Sequence, residues 1–114
     1  MLYLTVLTCG DLCSPQAAFW YGELLAEGGY GRLPRERAAF LIRESDGTLT
    51  LVPWPEGGYR HATWRGAIPA RAVAVLHTHP YREPNPSPRD RAEARRLALP
   101  VGVITPAGVR FAWP

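Results

Sequence analysis

Residues 71–90 read RAVAVLHTHPYREPNPSPRD. The first six residues of this stretch are apolar after the arginine and rich in valine, which is typical of a short buried strand. Side chains at positions i and i+2 of a strand lie on the same face. We therefore expect His77 and His79 to point the same way from the strand end, with Thr78 on the opposite face. Alone, this histidine pair fits either a metal site or an ordinary polar strand end.

The end of the same stretch predicts the start of a helix. Ser87 suits the N-cap, Pro88 the first helical position and Asp90 the third, as in a capping box. Capping alone explains Ser87 and Asp90 when each is taken separately. With the two histidines, however, Asp90 completes a set of two imidazoles and a carboxylate, which can hold a catalytic zinc and leave one position open for water. A carboxylate in a first helical turn is rigidly held and can serve both purposes.

The spacing His-x-His, ten residues, Asp, with proline after the second histidine and Ser-x-x-Asp at the end, resembles the signature of the JAMM (MPN-plus) zinc metallopeptidases. The resemblance covers most of the chain and implies a minimal prokaryotic member, with one zinc ion bound by His77, His79 and Asp90. It also implies a catalytic glutamate just before an early apolar strand, a place that Glu36 fits. In such enzymes zinc activates a water molecule, and the glutamate passes the water's proton to the leaving amine. Ser87 would stabilise the oxyanion.

The resemblance also implies a class of substrate. JAMM members include isopeptidases that release ubiquitin or ubiquitin-like proteins, and bacterial enzymes that cut after the C-terminal Gly-Gly of sulfur-carrier proteins. We expect hydrolysis of an amide bond after such a tail, with a ubiquitin-like or sulfur-carrier protein as the partner. Residues 80–87 also resemble the corresponding loop of the RadC family, so a different substrate stays open. A non-catalytic MPN-type scaffold is the alternative from another class of function, although such domains usually lack the metal ligands.

The chain departs from the family pattern in two places. Ala39 and Ala74 stand where the family often has glycine, which affects the alignment of the strands more than the metal ligands. Other candidates for the catalytic glutamate are Glu23, Glu27 and Glu44, which match the pattern less well than the glutamate before the first strand.

Hydrophobic periodicity and turn residues predict alternating strands and helices along the chain. We expect residues 1–114 to form a single α/β domain, with a central mixed, mostly antiparallel sheet flanked by two main helices. JAMM/MPN and cytidine-deaminase-like domains share this layered architecture. The predicted helices are 15 to about 27, capped by Ser14, and 88 to about 99; the predicted strands are 1–7, 38–44, 48–52, 59–64 (short and irregular), 71–76, 101–105 and 109–113.

Composition narrows the range of partners. The 114 residues carry a net charge of +3, with 13 arginines and no lysine, which is too little charge to predict a nucleic-acid partner without a clear basic stripe. The apolar N-terminus lacks the features of a signal peptide and is too short to cross a bilayer, so we expect a cytoplasmic protein without a membrane partner. Cys9 and Cys13 would then form a reduced pair. A homodimer is compatible with this sequence.

Aromatic residues crowd the Gly- and Pro-rich segment that precedes the histidines. Trp54, Tyr59 and Trp64 either line a groove for an extended peptide or are ordinary core residues. His61 between them is interpreted as a surface residue. The residues that bind substrate stay unknown at this level.

Overall fold

Five strands and two α-helices account for most of the chain that the computed structural model describes, residues 10–29, 37–55, 64–79 and 83–114. A short 3₁₀ helix at Gly10–Cys13 leads into α1. In chain order the elements are α1 (Pro15–Glu27), β1 (Ala38–Arg43), β2 (Leu49–Pro53), β3 (Ala72–Thr78), α2 (Pro88–Leu97), β4 (Val101–Thr105) and β5 (Gly108–Ala112).

The strands form one sheet in the order β2-β1-β3-β4-β5. Strand β3 runs parallel to β4, and the other neighbouring pairs are antiparallel. The parallel pair is joined by α2, as a crossover between parallel strands requires. This arrangement confirms the predicted α/β fold with a mixed, mostly antiparallel sheet and two main helices.

Side-chain alternation along the central strands divides the core into two faces. On one face Leu41 and Leu76 pack with Leu24 of α1. On the other face Phe40 and Val75 pack beneath α2, whose Ala94 and Leu97 complete that cluster. Because the alternation continues to the end of β3, it also determines on which face each residue after Val75 lies.

Several expectations need correction or lie outside the described residues. Several predicted element boundaries, such as those of β4, coincide with the observed ones, and the others differ by one or two residues, as is usual at frayed ends. Trp64 belongs to no strand, while the predicted strand at residues 1–7, as well as His61 and Tyr59, lie outside the described residues. Cys13 is disulfide-bonded, so the expectation of a reduced pair was wrong, and the cytoplasmic location stays a prediction.

The two described aromatic residues of the segment before the histidines, Trp54 and Trp64, pack against the core. The ring of Phe40 lies 5.4 Å from that of Trp54 and 4.8 Å from that of Trp64, between centroids. Core packing therefore accounts for both indoles. No helix of the described segments has the length and apolar character needed to span a bilayer.

The close approach of α1 to β3 generates a prediction about stability. A Cβ added to Gly28 would lie 2.7 Å from Oγ1 of Thr78. This hydroxyl oxygen accepts a hydrogen bond from the backbone N–H of Arg37, so it is not free to move aside. We expect Gly28→Ala to lower the free energy of unfolding by about 1–3 kcal/mol, measured by chemical denaturation.

The matched control is Gly22→Ala, in the exposed part of α1, where an added Cβ meets nothing within 4 Å. Alanine favours a helix over glycine by about 1 kcal/mol, so this variant should be more stable than the wild type. Equal stabilisation by both substitutions would show that the contact between Gly28 and Thr78 is not close.

Candidate metal centre

The end of β3 presents its side chains alternately to the two faces of the sheet. His77 follows Val75 by two residues and therefore lies on the α2 face. Thr78 lies on the α1 face, as its proximity to Gly28 shows. His79 follows directly after the strand, and its ring centroid lies 4.8 Å from that of His77. The predicted pairing of the two histidines on one face is therefore observed.

The first turn of α2 brings a carboxylate to this face. Ser87 is the N-cap, and its Oγ accepts a hydrogen bond from the backbone N–H of Asp90 at 3.1 Å. In return, the backbone N–H of Ser87 donates to Oδ2 of Asp90 at 2.7 Å. This reciprocal capping box fixes the direction of the carboxylate.

The three side chains meet at their polar ends. Nε2 of His77 lies 2.9 Å from Oδ1 of Asp90, and Nε2 of His79 lies 3.1 Å from Oδ2. One ligand atom from each residue can be chosen so that all three lie within 4.8 Å of one another. Zinc bonds of about 2.0–2.2 Å place two ligands of a tetrahedral site roughly 3.4 Å apart. The spacing of the three side chains therefore suits a single metal ion.

The proton positions favour a cation between these groups. Nδ1 of His79 lies 2.8 Å from the backbone oxygen of Glu83, and because a carbonyl can only accept, this nitrogen carries the proton. In the neutral ring, Nε2 then presents a lone pair to the carboxylate of Asp90. Two acceptors face each other at 3.1 Å, which is favourable only if a proton or a metal ion lies between them.

Asp90 is ionised in this environment. Its burial favours the neutral acid, but hydrogen bonds with His77 and His79, the charge of His77 and the N–H of Ser87 outweigh burial and hold the pKa of the Asp90 carboxyl well below its usual range. His77, His79 and Asp90 are each more than 90% buried. Two imidazoles and an ionised carboxylate are a donor set that fits a divalent metal ion.

The two other predicted site residues are Ser87 and Glu36. Ser87 is half-buried, and since its oxygen accepts from Asp90, its own proton stays available to a further acceptor. Glu36 lies outside the described residues. Arg37, which follows it, pairs with Thr78 through both its N–H and its carbonyl, so the chain is anchored next to the metal ligands one residue after Glu36.

Sequence reasoning missed the contribution of Glu83. This residue acts on His79 through its backbone carbonyl, which every amino acid carries, so no side-chain signal could have identified it. Its position four residues after the second histidine is the only hint, and that spacing has no meaning without the shape of the loop.

The depressed pKa of Asp90 predicts how the metal-free protein responds to acid. A carboxyl group titrates at about 3.9 in an unfolded chain, and in this fold the pKa is lower. The unfolded state therefore takes up the proton first as the pH falls, and the stabilisation from Asp90 is present above about pH 4 and is lost below it. We expect Asp90→Asn to reduce the loss of stability between pH 5 and pH 2, on the order of 1–3 kcal/mol. Urea unfolding of both proteins in a chelator, at several pH values, measures this; parallel pH profiles would contradict it.

A comparison with known protein families agrees with this geometry. A family model described as prokaryotic homologs of the JAB domain matches residues 25–114, which include all five strands and the three candidate ligands. No curated protein and no solved structure matches the chain. The match covers most of the chain and confirms the family resemblance seen in the sequence. The chain therefore belongs to the family of prokaryotic homologs of the JAB domain.

Proposed function

We propose that this protein is a zinc-dependent metallopeptidase or isopeptidase, which hydrolyses the amide bond after the C-terminal Gly-Gly tail of a ubiquitin-like or sulfur-carrier protein. The observation that carries the proposal is the convergence of His77, His79 and Asp90, with ligand atoms within 4.8 Å of one another on a buried strand end. Membership of the JAB-domain family supports a hydrolytic function for such a site.

The donor set supports zinc as the metal. Three protein ligands of the imidazole and carboxylate type leave a fourth tetrahedral position open, as catalytic zinc sites do and structural sites do not. A zinc ion bound there would supply Lewis-acid activation of water and of the scissile carbonyl. The hydrogen bond from Nδ1 of His79 to the Glu83 carbonyl would hold the ring so that Nε2 faces the metal.

The remaining steps belong to two side chains. Glu36 would accept the proton of the attacking water and deliver it to the departing amine. Its neighbour Arg37 is fixed against Thr78, between the two histidines, which supports this role. The hydroxyl of Ser87 would donate a hydrogen bond to the oxyanion of the tetrahedral intermediate, while its oxygen continues to accept the hydrogen bond from the backbone N–H of Asp90.

A narrow, extended tail is the substrate that we propose for this site. Only residues 98–100 separate α2 from β4, so this connection contains no additional segment that could grip a large folded partner. Within the described residues the sheet ends in β2 on one side and β5 on the other, and an extended peptide can add to such an edge through backbone hydrogen bonds. A tail of two glycines has no side chains that would obstruct this mode of binding.

Metal analysis tests the site. We expect the purified wild type to contain about one zinc ion per chain, and His79→Ala to lose it, because two protein ligands do not retain zinc in competition with a chelator. His61→Ala, which replaces the third histidine of the sequence, is the matched control and should keep the metal. If the wild type fails to take up zinc even after reconstitution, the scaffold alternative replaces the enzyme.

Hydrolysis of a defined probe tests the general base. The probe is a ubiquitin-like protein whose terminal Gly-Gly carries a fluorogenic amide. We expect Glu36→Gln to keep zinc and to lower kcat by about 100-fold or more, because the amide cannot accept the proton of water. Glu23→Gln, an exposed glutamate of α1, is the control and should leave kcat unchanged.

Two outcomes separate the alternatives. A zinc-loaded Glu36→Gln variant with full activity would refute the assignment of Glu36 as the base. A zinc-loaded wild type that cleaves no Gly-Gly probe, but does cleave another amide, would point to a substrate of the kind left open by the RadC-like loop.

A further inference from the structure

The loop before α2 determines how His79 is oriented. The backbone oxygen of Glu83 lies 2.8 Å from Nδ1 of His79 and thereby selects the ring tautomer whose Nε2 lone pair faces Asp90. A backbone carbonyl can do this only if the loop that carries it is held in place relative to the sheet. The contacts that hold residues 83–87 in place therefore also affect the geometry of the metal centre.

The loop has little freedom of its own. Residues 84, 86 and 88 are prolines, which fix φ and have no N–H. The two backbone N–H groups between them are both used inside the loop and its helix cap. Asn85 donates to Oε1 of Glu83 at 3.1 Å, and Ser87 donates to Oδ2 of Asp90 at 2.7 Å. These bonds stiffen the loop without tying Glu83 to the sheet.

A side chain from the far edge of the sheet supplies that tie. Nη1 of Arg110 donates to Oδ1 of Asn85 at 2.7 Å. Arg110 lies in β5 opposite Val103, which in turn lies opposite His77 in β3. The three side chains therefore share the α2 face, with Arg110 roughly 10 Å from the strand of the histidines. Through Asn85, the guanidinium holds the loop from the same face of the sheet that carries the metal ligands.

We propose that Arg110 is a positioning residue of the metal centre. Arg110 acts on His79 through Asn85 and the Glu83 carbonyl. This inference rests on the metal site proposed above. Without the guanidinium, Asn85 loses its contact with β5 and the stiff loop can shift as a unit. The Glu83 carbonyl then no longer fixes the proton on Nδ1, and the ring of His79 samples the other tautomer, in which Nε2 carries a proton and cannot bind a metal.

The test compares three substitutions in the full chain. Arg110→Ala should weaken zinc binding about tenfold, measured by competition with a chromophoric chelator, as loss of an outer partner does in comparable sites. Arg110→Lys keeps a donor for Asn85 and should recover most of the affinity. Arg95→Ala removes an exposed arginine of α2 and should bind zinc as the wild type does.

A spectroscopic readout distinguishes positioning from a general loss of stability. Long-range proton–nitrogen NMR spectra of the metal-free protein, kept in a chelator at alkaline pH, report which imidazole nitrogen of His79 carries the proton when no metal ion imposes the tautomer. We expect Nδ1–H alone in the wild type and in Arg95→Ala, and broadened or mixed signals for His79 in Arg110→Ala. The signals of His77, which the Glu83 carbonyl does not contact, should change less.

A second variant covers the case in which Arg110→Ala does not fold. Asn85→Ala breaks the same hydrogen bond from the loop side and leaves β5 intact, so it should give the same loss of affinity. In the double variant the two effects should not add, because both remove one contact. Suppose that the wild type binds zinc and that Arg110→Ala and Asn85→Ala change neither the zinc affinity nor the tautomer of His79. This result would refute the role of Arg110 and leave the proposed function standing. Absence of zinc binding by the wild type would instead refute the proposed function.

Discussion

The structure around the strand end depends on the interactions that the carboxylate of Asp90 makes. One oxygen, Oδ2, accepts from the backbone of Ser87 and closes the capping box that begins α2. Both oxygens also lie within 3.1 Å of an imidazole nitrogen at the end of β3. A single side chain thus starts the helix and joins it to the strand. The apolar cluster that includes Val75, Ala94 and Leu97 lies farther from the strand end and packs α2 against the same face of the sheet.

Alternation along β3 extends this dependence to both faces of the sheet. His77 is directed to the α2 face, while Thr78, the next residue, is directed to α1 and is held by Arg37 and by its contact with Gly28. The strand end is therefore packed from both sides, and the direction of each histidine is determined by backbone geometry rather than by its own rotamer alone. Such rigid support is what a metal site needs in order to keep its ligands within a few tenths of an ångström.

Local rules of sequence predicted the parts of the fold that local interactions determine. Ser14 and Ser87 with the following prolines fixed the starts of both helices, and alternation placed His77 and His79 together. The parts that were missed depend on distant contacts. The bulge between Leu41 and Ile42 shows only when β1 is paired with β3. The same holds for the Glu83 carbonyl, whose role exists only once the loop of three prolines has folded back onto His79. Strand order likewise follows from tertiary packing and not from any residue.

The burial of His77, His79 and Asp90 is better explained by metal binding than by helix capping alone. Capping explains Ser87 and Asp90 in either case, but it does not explain two imidazoles at 6% and 7% exposure beside an ionised carboxylate. Taking such groups out of water is costly unless they are fully paired, and apolar residues of similar size would pack here with less penalty. In the neutral form His79 even directs a lone pair at Asp90. The arrangement becomes favourable when a proton or a metal ion lies between the side chains, and one divalent metal ion can meet both imidazoles and the carboxylate at once.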